Sequence, residues 1–235
     1  MNPEDKNFCE VEKLLHQSGY TIAELVKESS RRKSSLLMMS DENITKYNEL
    51  YDSIDIGGLS TRQKGKLLEE LSSLLFQHSV GNLFDVFKNC RTSTNEIDLL
   101  IRWTESARLA GINGAFPCFG ESFLCECKNY NGAVSVTYVG KFSSLMSVTH
   151  TCFGVMISWD GVTGRSKWND SLGLIKKIAL SENKYIVVLD KEDLKKICNK
   201  EESIFSLIYD KYTALKNEID YSKYIQKHEA EDGMV

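Results

Sequence analysis

Asp98, Glu126 and Lys128 are the residues of this sequence whose types and spacing best suit chemistry. Asp98 lies in Asn95-Glu96-Ile97-Asp98-Leu99-Leu100-Ile101, a short apolar run that reads as a strand. Glu126 and Lys128 close a second such run, Ser122-Phe123-Leu124-Cys125-Glu126-Cys127-Lys128. Successive strand residues point to opposite sides, so Ile97, Leu99 and Ile101 are predicted to share one face, with Glu96, Asp98 and Leu100 on the other. In the second run Phe123, Cys125 and Cys127 share a face, while Leu124, Glu126 and Lys128 project from the opposite one. A carboxylate on each of two strands offers hard oxygen ligands for Mg²⁺, and the ammonium can stabilise an attacking water or the charge developing at phosphorus. That combination suits hydrolysis of a phosphodiester. A bare Glu-x-Lys is common, however, and edge-strand charges with a lysine as ion-pair partner explain most of its occurrences. What separates the two readings is whether the surrounding elements bring the strands together.

Residues 1 to 58 read as helical. Thr21-x-x-Glu24 is a capping box that opens a predicted helix over 21–39, apolar residues at helical spacing continue over 44–54, and Gly57-Gly58 breaks the pattern. Ser60-x-x-Gln63 opens another helix, with Leu67, Leu68, Leu71, Leu74 and Leu75 on one stripe, ending near Gly81. Strands are then predicted over 83–88, 96–103, 122–128 and 152–159, with a crossover helix over 139–148 that makes the last two a parallel pair. A fifth strand at 185–189 and helices at 191–199 and 204–225 complete the chain, before a polar tail from Lys227. The expected fold class is α/β, a mixed central sheet flanked by helices with an amino-terminal helical extension. With only two prolines, Pro3 and Pro117, and no repeat, the division is soft: 1–58 for dimerisation or a protein partner, 59–210 for the α/β domain, 211–235 for the closing helix and tail.

Composition excludes some classes. At 235 residues, 42% hydrophobic and 26% charged, the chain is a folding one rather than a disordered one. No stretch approaches the roughly 18 apolar residues of a membrane span, and the start lacks a basic segment leading into an apolar one, so a cytoplasmic protein is expected. Seven cysteines without a C-x-x-C ladder point to reduced thiols. Cys118, Cys125, Cys127, His150 and Cys152 lack the paired spacing of structural zinc sites, and the four histidines show no nucleophile motif. The net charge of −4 means that any nucleic-acid surface must be local. Candidates are Arg62, Lys64 and Lys66 at the start of the leucine-striped helix, Arg91 before Asp98, Arg165 with Lys167, and Arg31-Arg32-Lys33. Ser158 to Gly164, with its glycines and hydroxyls, suits a loop at the carboxyl end of the sheet, where α/β sites gather.

Asn95-Glu-Ile-Asp98, followed 28 positions later by Glu126-Cys-Lys128, resembles the PD-(D/E)xK nuclease superfamily and within it the Mrr-like, type IV restriction endonuclease domains. Gly65-Lys-Leu-Leu-Glu69 is similar to that family's opening helix motif, and Gly81 falls where the family turns into its first strand. Downstream, Val134 to Phe142 resembles the entry to its crossover helix, Gly154 to Ser158 its next strand, and Tyr185 to Leu194 its closing strand and helix; the resemblance covers residues 60–200. It implies a Mg²⁺-dependent endonuclease of DNA, with Mn²⁺ able to substitute, acting in restriction of or defence against foreign DNA, as a homodimer where both strands are cut. Asp98 and Glu126 would bind the ion with help from the backbone carbonyl of Cys127, Lys128 would position or activate the water, and Glu69 would orient the site or hold a second ion. Water would attack in line with no covalent intermediate, leaving a 5′-phosphate. Helical geometry leaves Glu70 open beside Glu69, since Glu69 sits nearly opposite the leucine stripe, next to Phe76. The alternatives are a catalytically silent nuclease-fold module that binds DNA or a partner protein, and a structure-specific or RNA-directed nuclease.

Overall fold

A computed structural model describes residues 3–78, 83–91, 96–129, 132–164 and 170–222. The chain opens with helices α1 (Pro3–Ser18), α2 (Ile22–Arg31), α3 (Asp41–Asp55) and α4 (Thr61–His78), then strands β1 (Phe84–Arg91) and β2 (Glu96–Trp103). Short helices α5 (Glu105–Leu109) and α6 (Ile112–Ala115) lead to β3 (Ser122–Lys128), and α7 (Val136–Val148) crosses to β4 (Phe153–Ser158). Helix α8 (Ser171–Glu182), β5 (Tyr185–Leu189), α9 (Lys191–Cys198) and α10 (Ile204–Ser222) complete it. The five strands form one sheet in the order β1-β2-β3-β4-β5. β1, β2 and β3 pair antiparallel, whereas β3, β4 and β5 pair parallel because α7 and α8 carry the chain back to the same end before each new strand. This is the mixed α/β sheet expected from the sequence, with three strands at the predicted bounds.

Strand alternation divides the core into two layers. Leu99, Ile101, Trp103, Phe123, Cys125, Phe153, Val155 and Leu189 face α3, α4, α9 and α10, while Leu124, Met156 and Ile186 face α7 and α8. The leucine stripe of α4 lies in the first layer, with Leu68, Leu71 and Leu75 fully buried. Phe76 is buried in the same layer, edge-on to Phe84 and Phe123. The core-facing arc of α4 is therefore wider than the stripe alone implies.

Of the amino-terminal helices, α2, through Val26, and α3 belong to this core. Ile44, Tyr47, Tyr51 and Ile54 of α3 share the cluster of α4 and the sheet, the Tyr47 hydroxyl donates to the Leu194 carbonyl at 3.1 Å, and the Tyr51 hydroxyl donates to the Lys191 carbonyl at 3.2 Å. At the other end, α10 runs unbroken through residue 210. The capping box at Thr21 forms as predicted, but α2 stops at Arg31 rather than running to residue 39. Lys33 adopts φ 51° and Ser34 caps a single turn, Ser35–Leu37, that drops Leu37 and Met39 into the core. Serines at 34 and 35, whose hydroxyls compete for backbone groups, favour such a break. Helix α8 was not foreseen, although Asp170 caps it and Ile175, Ile178 and Ala179 follow helical spacing. Gly81 and the tail from Lys227 lie outside the described residues.

Gly154 sets the approach of α7 to β4. A Cβ built there would lie 2.8 Å from two ring atoms of Phe142 and 3.0 Å from the Met146 sulfur. Gly154→Ala is accordingly expected to destabilise the fold by about 1–3 kcal/mol, read as a lower urea midpoint at unchanged slope. Recovery on combining it with Phe142→Leu would locate the strain at this contact.

Candidate active site

The pairing of β2 with β3 stops at Leu99↔Cys125. Beyond it the Asp98 carboxylate accepts the Cys127 N–H at 2.8 Å, a bond that the register, if continued, would give to the Ile97 carbonyl. β2 thus leaves β3 at Asp98, and a side chain in the sheet plane fills the gap. The expected grouping of Ile97 with Leu99 and Ile101 is overturned here. Leu99 and Ile101 lie in the α4 layer, but Ile97 packs with Leu124, Val134 and Met156 in the α7/α8 layer. Cys90, its partner on β1, also packs in that layer, although Phe84 and Val86 earlier in β1 belong to the α4 layer. The β1–β2 ribbon therefore turns over between Leu99 and Ile97, which aims Asp98 at neither layer but at the end of β3.

Glu126 and Lys128 meet it there. The Lys128 ammonium lies 2.5 Å from Glu126 Oε1 and 3.5 Å from Asp98 Oδ2, and all three side chains are only 15–17% exposed. Burial, and behind it repulsion from Asp98, push the Glu126 carboxyl up to about 7 in spite of Lys128. One ammonium thus leaves two buried carboxylates short of positive charge. Two hard carboxylates with that deficit, beside the backbone carbonyl of Cys127, are a donor set that fits Mg²⁺, which takes one or two carboxylates and keeps several waters. No three His, Cys, Asp or Glu side chains among the described residues form a ready cage, so Glu69 is not a third ligand in this arrangement.

Glu69 nevertheless belongs to the neighbourhood. It is half-buried on α4, and its carboxyl is raised by burial first and then by Asp98, with Lys128 opposing. Glu70 points elsewhere, into a cleft of about 500 Å³ lined by Lys46, Glu49, Ser73 and Lys88. The helix is held at this end of the sheet by Asn129, buried next to Lys128, whose side-chain amide donates to the Lys64 carbonyl at 3.4 Å. Arg62 and Lys66 are exposed on the same first turns, and Lys64 is partly so. Arg91 ends β1 opposite Glu96, its side chain lying outside the described residues, as does all of Arg165. Arg31, Arg32 and Lys33 are engaged within the fold, the arginines with Glu28 and the lysine with Glu202.

A comparison with protein-family models gives no match, and none of the curated proteins matches. Among solved structures, the DNA modification-dependent restriction endonuclease AspBHI is similar, at a TM-score of 0.39 and 12% identity over 77% of this chain and 42% of that one. The chain spans less than half the length of that structure.

The loop after β4 adjoins the site, as its glycines and hydroxyls suggest. Ser158 pairs with Lys128, the Trp159 N–H donates to the Lys128 carbonyl at 3.3 Å, and Asp160 accepts from the Gly132 N–H at 2.9 Å. Trp159 in turn packs on Tyr51 of α3, ring centroids 4.9 Å apart. Helix α3 so buttresses the strand end that carries Lys128. Neither Asn129 nor Tyr51 is recognisable from local sequence, because their partners lie 65 and 108 positions away. Cys125 and Cys127 occupy the core layer with Phe123, as their parity predicts. No helix among the described residues is long and apolar enough to cross a membrane.

Proposed function

We propose that this chain is a divalent-metal-dependent endonuclease that hydrolyses phosphodiester bonds of DNA. The observation that carries this reading is the shared position of Lys128 between two buried carboxylates, one of them fixed by a backbone N–H of the strand that bears the other two groups. Asp98, Glu126 and the Cys127 carbonyl would hold Mg²⁺, or Mn²⁺ in its place, and the ion supplies Lewis-acid stabilisation of the charge developing on phosphate oxygens. Lys128 orients the attacking water and offsets negative charge as the water oxygen bonds to phosphorus in line with the departing 3′ oxygen. Glu69 polarises the site from the side. Arg62, Lys64 and Lys66, on the helix turn that Asn129 ties to β3, offer the phosphate backbone a local cationic approach on an otherwise acidic molecule. The likeness of the sequence motifs to Mrr-like restriction enzymes favours DNA over RNA and a role against foreign DNA, with a homodimer supplying two centres for double-strand cuts.

The test is cleavage of modified and unmodified supercoiled plasmid with Mg²⁺, Mn²⁺ or chelator, comparing wild type with Asp98→Ala. Metal-dependent nicking confined to the wild type is expected. DNA binding without cutting above the variant's background in any metal would instead make the three charges a structural ion-pair cluster. Helix geometry adds a finer expectation. Glu69→Gln should slow cleavage about tenfold and Glu70→Gln less than about twofold in single-turnover assays, the order expected if only Glu69 reaches the charged cluster.

A further inference from the structure

We propose that Asn89 is a positioning residue, whose left-handed backbone turns the β1–β2 ribbon over and so aims Asp98 into the site. Five non-glycine residues among those described have positive φ. Lys33, His150, Asn183 and Lys200 each lie in a turn just after a helix, whereas Asn89, at φ 50°, lies inside a strand. Its place in that strand is the decisive fact. β1 and β2 keep one register from Phe84↔Trp103 to Arg91↔Glu96, and the pair missing from the ladder is Asn89 with Asp98, between Lys88↔Leu99 and Cys90↔Ile97. On one side of that gap Val86, Leu99 and Ile101 pack in the α4 layer; on the other, Cys90 and Ile97 pack in the α7/α8 layer.

No residue has been inserted, so the exchange of faces cannot come from a shift of register. It requires a local reversal of backbone twist, and a left-handed residue supplies one. Asparagine tolerates that region better than other side-chain-bearing residues, and β-branched residues, which strands otherwise favour, tolerate it least. Without the reversal, parity would send Asp98 to the α7/α8 side with Leu100. Its carboxylate would then be turned out of the sheet plane, away from the Cys127 N–H that it now accepts at 2.8 Å.

This role rests on the nuclease reading for its catalytic consequence, but not for its structural one, and the experiment reads both. Asn89→Gly, which keeps the left-handed conformation accessible, and Asn89→Val, which opposes it, are compared by residue-resolved amide exchange and by plasmid cleavage. In Asn89→Val the Cys127 amide should exchange about tenfold faster, while Val155 and Val187 in the sheet keep their protection and so report an intact fold. Its kcat should fall roughly 10²-fold with KM for DNA within about twofold, as expected when a ligand is misplaced but the binding surface is intact. Asn89→Gly should match wild type in both measurements. Unchanged Cys127 protection in Asn89→Val would overturn the proposal. So would loss of cleavage in Asn89→Gly with Cys127 still protected, because the side chain rather than the backbone would then matter. Should the wild type cut nothing, the nuclease reading fails, and the Cys127 amide alone still decides the positioning role.

Discussion

Lys128→Ala is expected to lower the single-turnover rate of DNA cleavage by about 10³-fold while changing DNA affinity little. The magnitude follows from position. The ammonium is within 2.5 Å of one candidate metal ligand and 3.5 Å of the other, where charge developing in the reaction would be felt in a largely dry environment. The same substitution has a second effect, on folding. It strips two buried carboxylates of their shared cation, and breaking such a pair costs about 3 kcal/mol. Metal-free Lys128→Ala should therefore melt several degrees lower above pH 7, and millimolar Mg²⁺ should recover more stability in the variant than in wild type, since the ion replaces the missing charge. Cleavage within about tenfold of wild type would remove Lys128 from the mechanism.

What could be read from the sequence and what could not divide along a physical line. The strands over 96–103, 122–128 and 185–189 were legible because alternation is a local property, and the crossover between β3 and β4 followed from one helical stretch between them. Glu126 and Lys128 were placed on a common side for the same reason. Asp98 stands out as an acid within an apolar strand, but the sequence gives a wrong picture of that strand's faces, since parity counting assumes an even twist and Asn89 breaks it opposite. The sequence also leaves Glu69 and Glu70 both open. The leucine stripe marks only part of the buried face of α4, since Phe76, on the side that Glu69 shares, is buried as well. The role of α3 was illegible, because Tyr47 and Tyr51 find their hydrogen-bond partners on α9, more than a hundred positions away.

Glu126→Gln should abolish cleavage and yet make the metal-free protein more stable at alkaline pH. The Glu126 carboxyl stands at about 7 in the folded protein against an ordinary 4.5, through burial first and the nearby Asp98 second. Below pH 4.5 the group is protonated whether the chain is folded or not, and it leaves the balance untouched. As pH rises from there to about 7 the unfolded chain ionises first, so stability drains away over that window and stays lower above it. A glutamine has no such penalty. The variant should gain roughly 2–3 kcal/mol over wild type at pH 8, on the order of 5 °C in Tm, with the difference vanishing near pH 4. Mg²⁺ should reverse the ranking, because only the wild type keeps both carboxylates for it. Lys128→Ala and Glu126→Gln thus move metal-free stability in opposite directions and activity in the same one. A purely structural ion-pair cluster would not behave so: removing either partner of a pair kept for stability should weaken the fold. Melts of the two variants at pH 4 and pH 8, with and without Mg²⁺, separate a site held ready for a cation from one that is already complete.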